Sequence, residues 1–248
     1  MKRARRHLRR RVSATMLAML ILAVDTSTQA GSLAVLRDGD VLGVVSTRTE
    51  ETYSSRMFRH LQFLLDEMKL AMEQFELYAV AAGPGSFTGL RVGLTAVKGW
   101  AEVHSKPIAA VSGLEAVAAQ ARAQQKFLAP VIDARRAQIY AGLYERAGNR
   151  LTRRGDEVVM QPAEFLAILE REASPGEVAF VTPTPEVLSA PLAQSVFGDA
   201  PVEKVSTVLA PFIGRLGYER ALRGELVDAL SLDANYIRRS DAELLWRG

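Results

Sequence analysis

The sequence contains no cysteine among its 248 residues. Disulfide bonds, thiolate zinc sites and cysteine nucleophiles are therefore excluded. Histidine is nearly as scarce, since the chain has only His7, His60 and His104, and no two of them are near each other in sequence. This scarcity argues against a histidine metal site and leaves few candidates for acid–base catalysis by an imidazole.

The chain also lacks an excess of basic residues outside its first 15 positions. Its net charge is +3, but residues 1–15 hold seven Lys and Arg and no Asp or Glu. Removing these seven from the 31 basic residues leaves 24 against 28 acidic residues, a balance of −4. The body therefore shows no global basic footprint for binding nucleic acid on its own.

A long apolar segment is missing as well, because no run is long enough to span a membrane. The basic start followed by an apolar run has the outline of a signal peptide, but Asp25 ends that run early. Cleavage near Ala30 would remove the first predicted strand and much of the core, which counts against a secreted protein. We favour a disordered extension over residues 1–18, or a start codon assigned too early, with Met16 or Met19 as the true start.

The order of the predicted elements is α/β with a mixed sheet. Short apolar runs joined by tight turns predict an antiparallel meander, after which helices alternate with strands. Five prolines between residues 175 and 201 predict a loop-rich second lobe. The predicted strands are Leu20–Val24, Gly31–Leu36, Val41–Thr47, Leu77–Ala82, Pro107–Val111, Phe127–Ile132 and Gln138–Glu145. The predicted helices are Ser54–Met72, Thr88–Val103, Leu114–Gln124 and Val208–Arg223.

The first predicted helix has an apolar arc that is typical of a face packed on a sheet. The far side of this helix carries Phe63 and Leu70, seven residues apart. They are either two isolated surface residues or a second contact stripe. The residues of the sheet-facing arc are Met57, Phe58, Leu61, Leu64, Leu65, Met68 and Met72.

The second predicted helix has a face of mostly small residues beside an apolar arc of Leu90, Leu94, Val97 and Ala101. Glycine inside a helix costs about 1 kcal/mol relative to alanine, so its presence predicts the close approach of another backbone. That backbone belongs either to the same lobe or to a partner, and we favour the partner. The predicted interface consists of Phe63, Leu70, Gly89, Gly93, Ala96 and Trp100.

The segment Gly83–Gly89, GPGSFTG, connects a predicted strand to this second helix. It lacks the Gly-Lys-Ser/Thr end of a Walker loop, and its Gly-x-Gly-x-x-x-Gly spacing is not the dinucleotide fingerprint. A glycine turn at a helix N-terminus can still bind phosphate. A tight turn that positions the helix explains the same residues at least as well.

Two acidic turns are the remaining candidates for chemistry. Asp25-Thr26-Ser27 offers a carboxylate to magnesium and hydroxyls to phosphate, and Asp133-Ala-Arg-Arg136 offers a carboxylate with basic neighbours. Ordinary turn chemistry explains both equally well. No Ser/His/Asp trio, paired carboxylates or metal cluster emerges. The weak candidate nucleotide site is Asp25, Thr26, Ser27, Gly83, Gly85 and Asp133.

Several segments together resemble the TsaB (YeaZ-type) family. They are ILAVDTSTQAGSLAVL, AAGPGSFTGLRVGLTAVKGWA, PIAAVSGLEAVAAQA, DARRAQIYAGLY and the closing NYIRRSDAE. The resemblance runs from about Leu20 to Glu243 and is strong up to Tyr144. GPGSFTGLR followed by a small-residue helix is its most specific motif.

The resemblance implies a two-lobed ASKHA fold, like that of actin, Hsp70 and RNase H, with mixed sheets flanked by helices. The first lobe is expected over residues 19–110, and a smaller second lobe over 111–248, with its C-terminal helix returning to the first. It implies a cytoplasmic, non-catalytic subunit that helps to form threonylcarbamoyladenosine at position 37 of tRNAs reading codons that start with A.

The partners implied by the resemblance are a TsaD-type transferase, a TsaE-type ATPase and a second copy of the chain. Pairing with the transferase or with itself uses the first two helices, and tRNA is met only through the complex. No membrane partner is implied. No cofactor is expected on the chain itself, so that ATP and magnesium, if required, belong to the complex.

Two departures from related sequences refine this expectation. The catalytic relative has a His-x-x-x-His metal motif after its glycine loop, whereas Ser112–Val117 contains no histidine here. Tyr53 stands where TsaB proteins commonly have a histidine, so no role of that histidine transfers. The alternative function is a small-molecule kinase or peptidase that uses the cleft between the lobes.

Overall fold

The computed structural model describes residues 18–49, 51, 53–148, 150–235 and 237. Except for Ala18, the extension expected over residues 1–18 lies outside the described residues. The closing segment from Arg238 onward lies outside them too.

The first sheet has five described strands in the order β3-β2-β1-β4-β5. They are β1 (Leu20–Asp25), β2 (Ser32–Arg37), β3 (Asp40–Val45), β4 (Leu77–Gly83) and β5 (Ile108–Ser112). β1, β2 and β3 pair antiparallel, which confirms the predicted meander, while β4 runs parallel to β1 and β5 parallel to β4. β1 is the central strand and is buried at all six positions, which accounts for its unbroken apolar run.

The second sheet also has five described strands, in the order β10-β9-β6-β7-β8. They are β6 (Phe127–Arg135), β7 (Gln138–Ala147), β8 (Arg150–Met160), β9 (Val178–Thr182) and β10 (Val202–Lys204). The prediction of a loop-rich second lobe is therefore wrong over residues 150–182. Its prolines begin short helical turns between regular elements, such as Pro175–Glu177 and Pro185–Val187.

The described helices are α1 (Tyr53–Met68), α2 (Phe87–His104), α3 (Gly113–Ala118), α4 (Pro162–Glu172), α5 (Ser189–Ala193) and α6 (Ala210–Arg223). α1 ends before the predicted Met72, because Lys69 adopts a left-handed φ of 54°. The amide of Leu70 donates to the carbonyl of Leu65 at 3.0 Å and closes the last turn. Leu70 is therefore not part of a helical stripe with Phe63, contrary to one of the sequence-based interpretations.

α3 is shorter than the predicted helix Leu114–Gln124. The guanidinium of Arg146 donates to the carbonyls of Ala121 and Ala123, and the carboxylate of Glu203 accepts from the amides of Arg122 and Ala123. These side chains replace the hydrogen bonds that a longer helix would have made. Partners distant in sequence therefore decide where the helix ends.

The helices form layers on the two sheets. α1 and α2 cover one face of the first sheet, and α6 covers the opposite face, where it contacts β1, β2, β4 and β5. α3 lies between the two sheets, and one apolar core continues through it from the first sheet into the second. No helix in the described part of the chain has the length and hydropathy needed to cross a membrane.

Candidate functional site

The glycine loop before α2 is fastened to the turn that follows β1. The amide of Ser86 donates to the carbonyl of Ser27 at 2.8 Å, and the hydroxyl of Thr26 donates to the carbonyl of Gly89 at 2.7 Å. The hydroxyl of Ser86 accepts from the amide of Gly89 at 3.2 Å, which caps the helix. The polar groups that could hold a phosphate are thus bonded within the chain at these positions.

The glycines of this region make room for the chain itself. A Cβ at Gly89 would collide with the carbonyl oxygen of Thr26, and one at Gly93 would collide with the hydroxyl of Thr26. A Cβ at Gly85 would lie 2.6 Å from the carbonyl oxygen of Ser27. Gly83 has a φ of 118°, and a Cβ there would lie 2.6 Å from the carbonyl oxygen of Asn235.

The interpretation of Gly89 and Gly93 as a partner-facing surface is therefore wrong. Both residues are buried. The backbone carbonyl of Thr26 approaches Gly89, and the side chain of Thr26, in the same lobe, approaches Gly93. A Gly93→Glu variant would place a side chain where the hydroxyl of Thr26 lies, so it is expected to fail to fold. The surface that remains for a partner lies elsewhere on α1 and α2.

Asp25 is fully buried at the end of β1. Its Oδ1 accepts from the amide of Ser27 at 2.8 Å and from the hydroxyl of Ser27 at 2.6 Å. Its Oδ2 is buried and has no hydrogen-bond partner among the described residues. Burial raises the pKa of Asp25 to about 6, against the opposing effect of the two bonds from Ser27.

Tyr53 begins α1 and packs its ring against Gly31, where a side chain would collide with it. Burial, and then the nearby charge of Asp25, raise the pKa of the Tyr53 hydroxyl above its usual range. His60 lies one side chain further, with Nδ1 3.4 Å from the Tyr53 hydroxyl. Burial and the charges of Arg56 and Arg59 lower the pKa of His60.

Asp133 is used inside its own hairpin. Its Oδ1 accepts from the amide of Arg135 at 2.8 Å, in a turn where Arg135, Arg136 and Ala137 all have positive φ. The hairpin belongs to the second sheet, whereas Asp25 and the glycine loop belong to the first. Turn chemistry accounts for Asp133, as one of the two sequence-based interpretations had it.

These residues do not fit a magnesium–nucleotide site. Magnesium takes six oxygen ligands in a near-octahedral arrangement, and the described residues contain no group of three or more His, Asp or Glu that could hold a metal. The unpaired Oδ2 of Asp25 is the one feature that a cation would satisfy. The loop that would meet the phosphates is instead closed onto Ser27.

A second candidate site is the exposed apolar surface of the α1–α2 pair, here called the outer face, which carries Phe58, Phe63, Trp100 and Val103. Phe58 and Phe63 are five residues apart on α1, about 140° round the helix, so they lie on different flanks of this surface. Phe58 and Phe63 are each 56% exposed and Val103 is 77% exposed. Trp100 is partly buried, and its ring lies edge-on to Phe58, with the centroids 6.3 Å apart. The prediction that Phe58 faces the sheet is therefore wrong, since it lies on the flank of α1 beside α2.

The other residues of the predicted interface stand differently. Leu70, Ala96 and Trp100 are all partly buried and pack against the core beneath α1 and α2. A partner role for Phe63, Leu70, Ala96 and Trp100 stays a prediction. Gly89 and Gly93 are directed inward instead.

Sequence reasoning missed Glu157, a buried carboxylate in β8. It accepts hydrogen bonds from the side chains of Ser112, Tyr144 and Asn235, which lie in different parts of the chain. A single glutamate ahead of an apolar run carries no signal that it is buried. Its role is visible only in the folded chain, where Tyr144 on β7 and Ser112 at the end of β5 donate to its carboxylate.

The family model described as TsaD, tRNA N6-adenosine threonylcarbamoyltransferase, matches residues 35–207. The tRNA threonylcarbamoyladenosine biosynthesis protein TsaB of Bacillus subtilis (strain 168) is 31% identical over 228 residues, which cover 92% of this chain and 98% of that protein. TsaB of Escherichia coli (strain K12) is 32% identical over 148 residues, covering 58% and 63% of the two chains.

Solved structures agree with the fold. YeaZ from Pseudomonas aeruginosa superposes with a TM-score of 0.71 at 28% identity, over 88% of this chain and 99% of that one. A ROK hexokinase from Thermus thermophilus superposes with a TM-score of 0.50 at 12% identity, over 82% and 100% of the two chains, which is a likeness of fold alone. The two-lobed ASKHA fold is confirmed.

Proposed function

The chain belongs to the TsaB (YeaZ-type) family, and from that premise we propose that it is a non-catalytic subunit in the formation of threonylcarbamoyladenosine on tRNA. Its task is to dock a TsaD-type transferase, in a complex that a TsaE-type ATPase joins and that meets the tRNA. The observation that carries this proposal is the exposed aromatic outer face of α1 and α2 on a lobe whose glycine loop is closed.

The closed loop supports the non-catalytic half of the proposal. Ser86 and Gly89 are bonded to Ser27 and Thr26, and the segment that follows β5 carries no histidine. In that segment Ser112 accepts from the amides of Leu114 and Glu115 and so caps α3. Thr26, Ser86 and Ser112 are thus used in contacts within the chain.

The outer face supports the docking half. Aromatic side chains are enriched in the buried centres of protein interfaces, where a few of them carry most of the binding free energy. Phe58 and Phe63 are more than half exposed, and the ring of Trp100 packs edge-on against that of Phe58. We assign the same face to pairing with the transferase and to pairing with a second copy, so the two associations compete.

The test is a double variant, Phe58→Ser with Phe63→Ser. Loss of two exposed aromatic side chains is expected to weaken binding to a TsaD-type protein by about 100-fold or more. The affinity is measured by calorimetry, and threonylcarbamoyladenosine is measured in a reconstituted mixture containing the transferase, the ATPase and tRNA. We expect modification to fall in parallel with binding.

The matched control is Ile168→Ser with Val196→Ser, which removes two exposed apolar side chains from the second lobe (45% and 52% exposed). This control is expected to bind and to support modification like the unchanged chain. Equal weakening by both double variants, or full binding by the outer-face variant, would refute the docking assignment.

The unpaired Oδ2 of Asp25 favours a second candidate function, the small-molecule kinase active on its own. That function requires nucleotide turnover by the isolated chain and its loss in an Asp25→Ala variant. Calorimetric titration of the pure chain with ATP and magnesium decides between the two. Absence of heat at millimolar nucleotide refutes the enzyme, whereas turnover that Asp25→Ala abolishes refutes the non-catalytic subunit.

A further inference from the structure

The carboxylate of Glu157 joins three separate parts of the chain. Its Oε1 accepts from the hydroxyl of Tyr144 at 2.5 Å and from the hydroxyl of Ser112, and its Oε2 accepts from the side-chain amide of Asn235 at 2.7 Å. Glu157 and Tyr144 belong to the second sheet, whereas Ser112 ends β5 in the first. Both carboxylate oxygens of one buried side chain are therefore engaged across the boundary between the lobes.

Asn235 is itself fixed to the first lobe. Its amide donates to the carbonyl of Ala82 at 2.7 Å, and its own carbonyl lies where a side chain at Gly83 would have to be. The chain around Asn235 thus lies over the start of the glycine loop. The side chain of the same residue reaches Glu157 in the second lobe.

The Glu157 carboxylate stabilises the fold only while all of its hydrogen bonds are formed. A buried carboxylate is costly unless it is hydrogen-bonded, and bonds to an ionised acceptor are among the stronger ones in proteins. Removing one donor from such a group leaves a buried charge incompletely satisfied, so the loss exceeds that of one ordinary hydrogen bond. The apolar core that α3 extends between the sheets lies next to the same residues, since Tyr144 is part of it.

We propose that Glu157 is a latch between the lobes, which fastens β8 to Ser112 and Asn235 and holds the two lobes in one arrangement. Two-lobed proteins often open and close around a ligand by a hinge motion. With the latch formed, this chain keeps a single arrangement of its lobes. The inference concerns the chain alone, so it stands or falls independently of which partner the outer face binds.

The chain offers a clean way to observe the lobes, because it contains no cysteine. Thr95 on α2 and Ala167 on α4 are exposed residues of the first and second lobes, and Thr95→Cys with Ala167→Cys places one spin label on each. The distance between the labels is measured by pulsed electron paramagnetic resonance. The unchanged latch is expected to give one narrow distance distribution.

An Asn235→Asp change sets a second carboxylate against Glu157. We expect a second, longer distance between the labels at pH 7. We also expect about tenfold faster hydrogen exchange of the amide at position 235, which donates to the carbonyl of Ala82, because a side chain repelled by Glu157 loosens the segment that carries it. A Gln194→Glu change adds the same charge at an exposed position of the second lobe and is expected to alter neither.

The decisive variant exchanges the two groups, Asn235→Asp combined with Glu157→Gln. The amide of the new glutamine can donate to the new carboxylate, so the narrow distribution and the slow exchange are expected to return. An unchanged distribution in Asn235→Asp, or a double variant that stays open, overturns the latch. If Asn235→Asp does not fold, Glu157→Gln alone decides, because it removes the charge and must then broaden the distribution.

Discussion

Both sides of α2 carry glycines, but the glycines of the inner side contact the rest of the chain and the glycine of the outer side does not. On the inner side, Gly89 and Gly93 allow Thr26 to approach the helix within the space that a side chain would fill. On the outer side, Gly99 has no described atom within 4 Å of the place where its Cβ would be. A glycine in a helix can therefore mark a close contact, as Gly89 and Gly93 do, or an open surface, as Gly99 does. The glycine alone does not show whether the contacting group belongs to the same chain or to a partner.

The largest expected effect comes from exchanging glycine for alanine on the two sides of α2. Gly89→Ala places a methyl group on the carbonyl oxygen of Thr26, which cannot move without shifting the turn after β1. We expect it to lower the free energy of unfolding by about 3 kcal/mol or more. Gly99→Ala is expected to raise it by up to about 1 kcal/mol, because alanine is the better helix former.

Both free energies are measured by denaturant titration with the same probe. Gly89→Ala and Gly99→Ala serve as controls for each other, since both change glycine to alanine in the same helix. A destabilised Gly99→Ala would show that the outer side of α2 is already covered in the chain alone. An unaffected Gly89→Ala would show that the glycine loop does not rest on Thr26.

The next effect concerns Asp25, which lies beneath the inner side of α2. Its pKa is raised from 3.8 to about 6 in the folded chain, so the folded state binds the proton more tightly than the unfolded state. Stability from this group is complete below pH 3.8 and is lost as the pH rises through 6. At 1.36 kcal/mol per pKa unit the loss is about 3 kcal/mol.

The measurement compares the unchanged chain with Asp25→Asn between pH 3 and pH 8. The difference in unfolding free energy between the two is expected to shift by about 3 kcal/mol in favour of the asparagine variant as the pH rises. Other titrating groups are shared and cancel in the difference. Parallel stability curves would mean that Asp25 has an ordinary pKa and an accessible, solvated carboxylate.

Much of the first lobe could be predicted from sequence, because its signals are local. The apolar run of β1 and the Asp38-Gly39 turn, with φ values of 51° and 86°, specify the meander. Ser86 specifies the start of α2 through its cap. Each of these features is decided by residues within a few positions of one another.

The features that could not be predicted depend on residues far away in the chain. α3 ends where it does because Arg146 and Glu203 supply the hydrogen bonds of the next residues. Glu157 is a latch only because Ser112 and Asn235 reach it from the other lobe. Phe58 shares the helical period of buried residues, but the side to which α2 packs leaves it on the surface.

A smaller effect is expected at the cap of α2. Ser86→Ala removes the hydroxyl that accepts from the amide of Gly89, and loss of such a cap costs about 1 kcal/mol of unfolding free energy. Ser174→Ala is the matched control, because Ser174 precedes a short helical turn without a side-chain cap bond. The two are compared by thermal unfolding. Equal midpoints would mean that the Ser86 hydroxyl does not stabilise α2.

The smallest effect on folding is expected on the outer side, at Phe63. Phe63→Ala removes a side chain that is 56% exposed and is expected to change the unfolding free energy by about 0.5 kcal/mol at most. Phe75→Ala removes the same group from a fully buried position and is expected to cost about 3 to 5 kcal/mol. Denaturant titration of both at a dilution that separates any dimer measures the difference. A cost above about 1.5 kcal/mol at Phe63 would place it in the core of the chain, whereas a negligible cost leaves its exposed ring available for a partner.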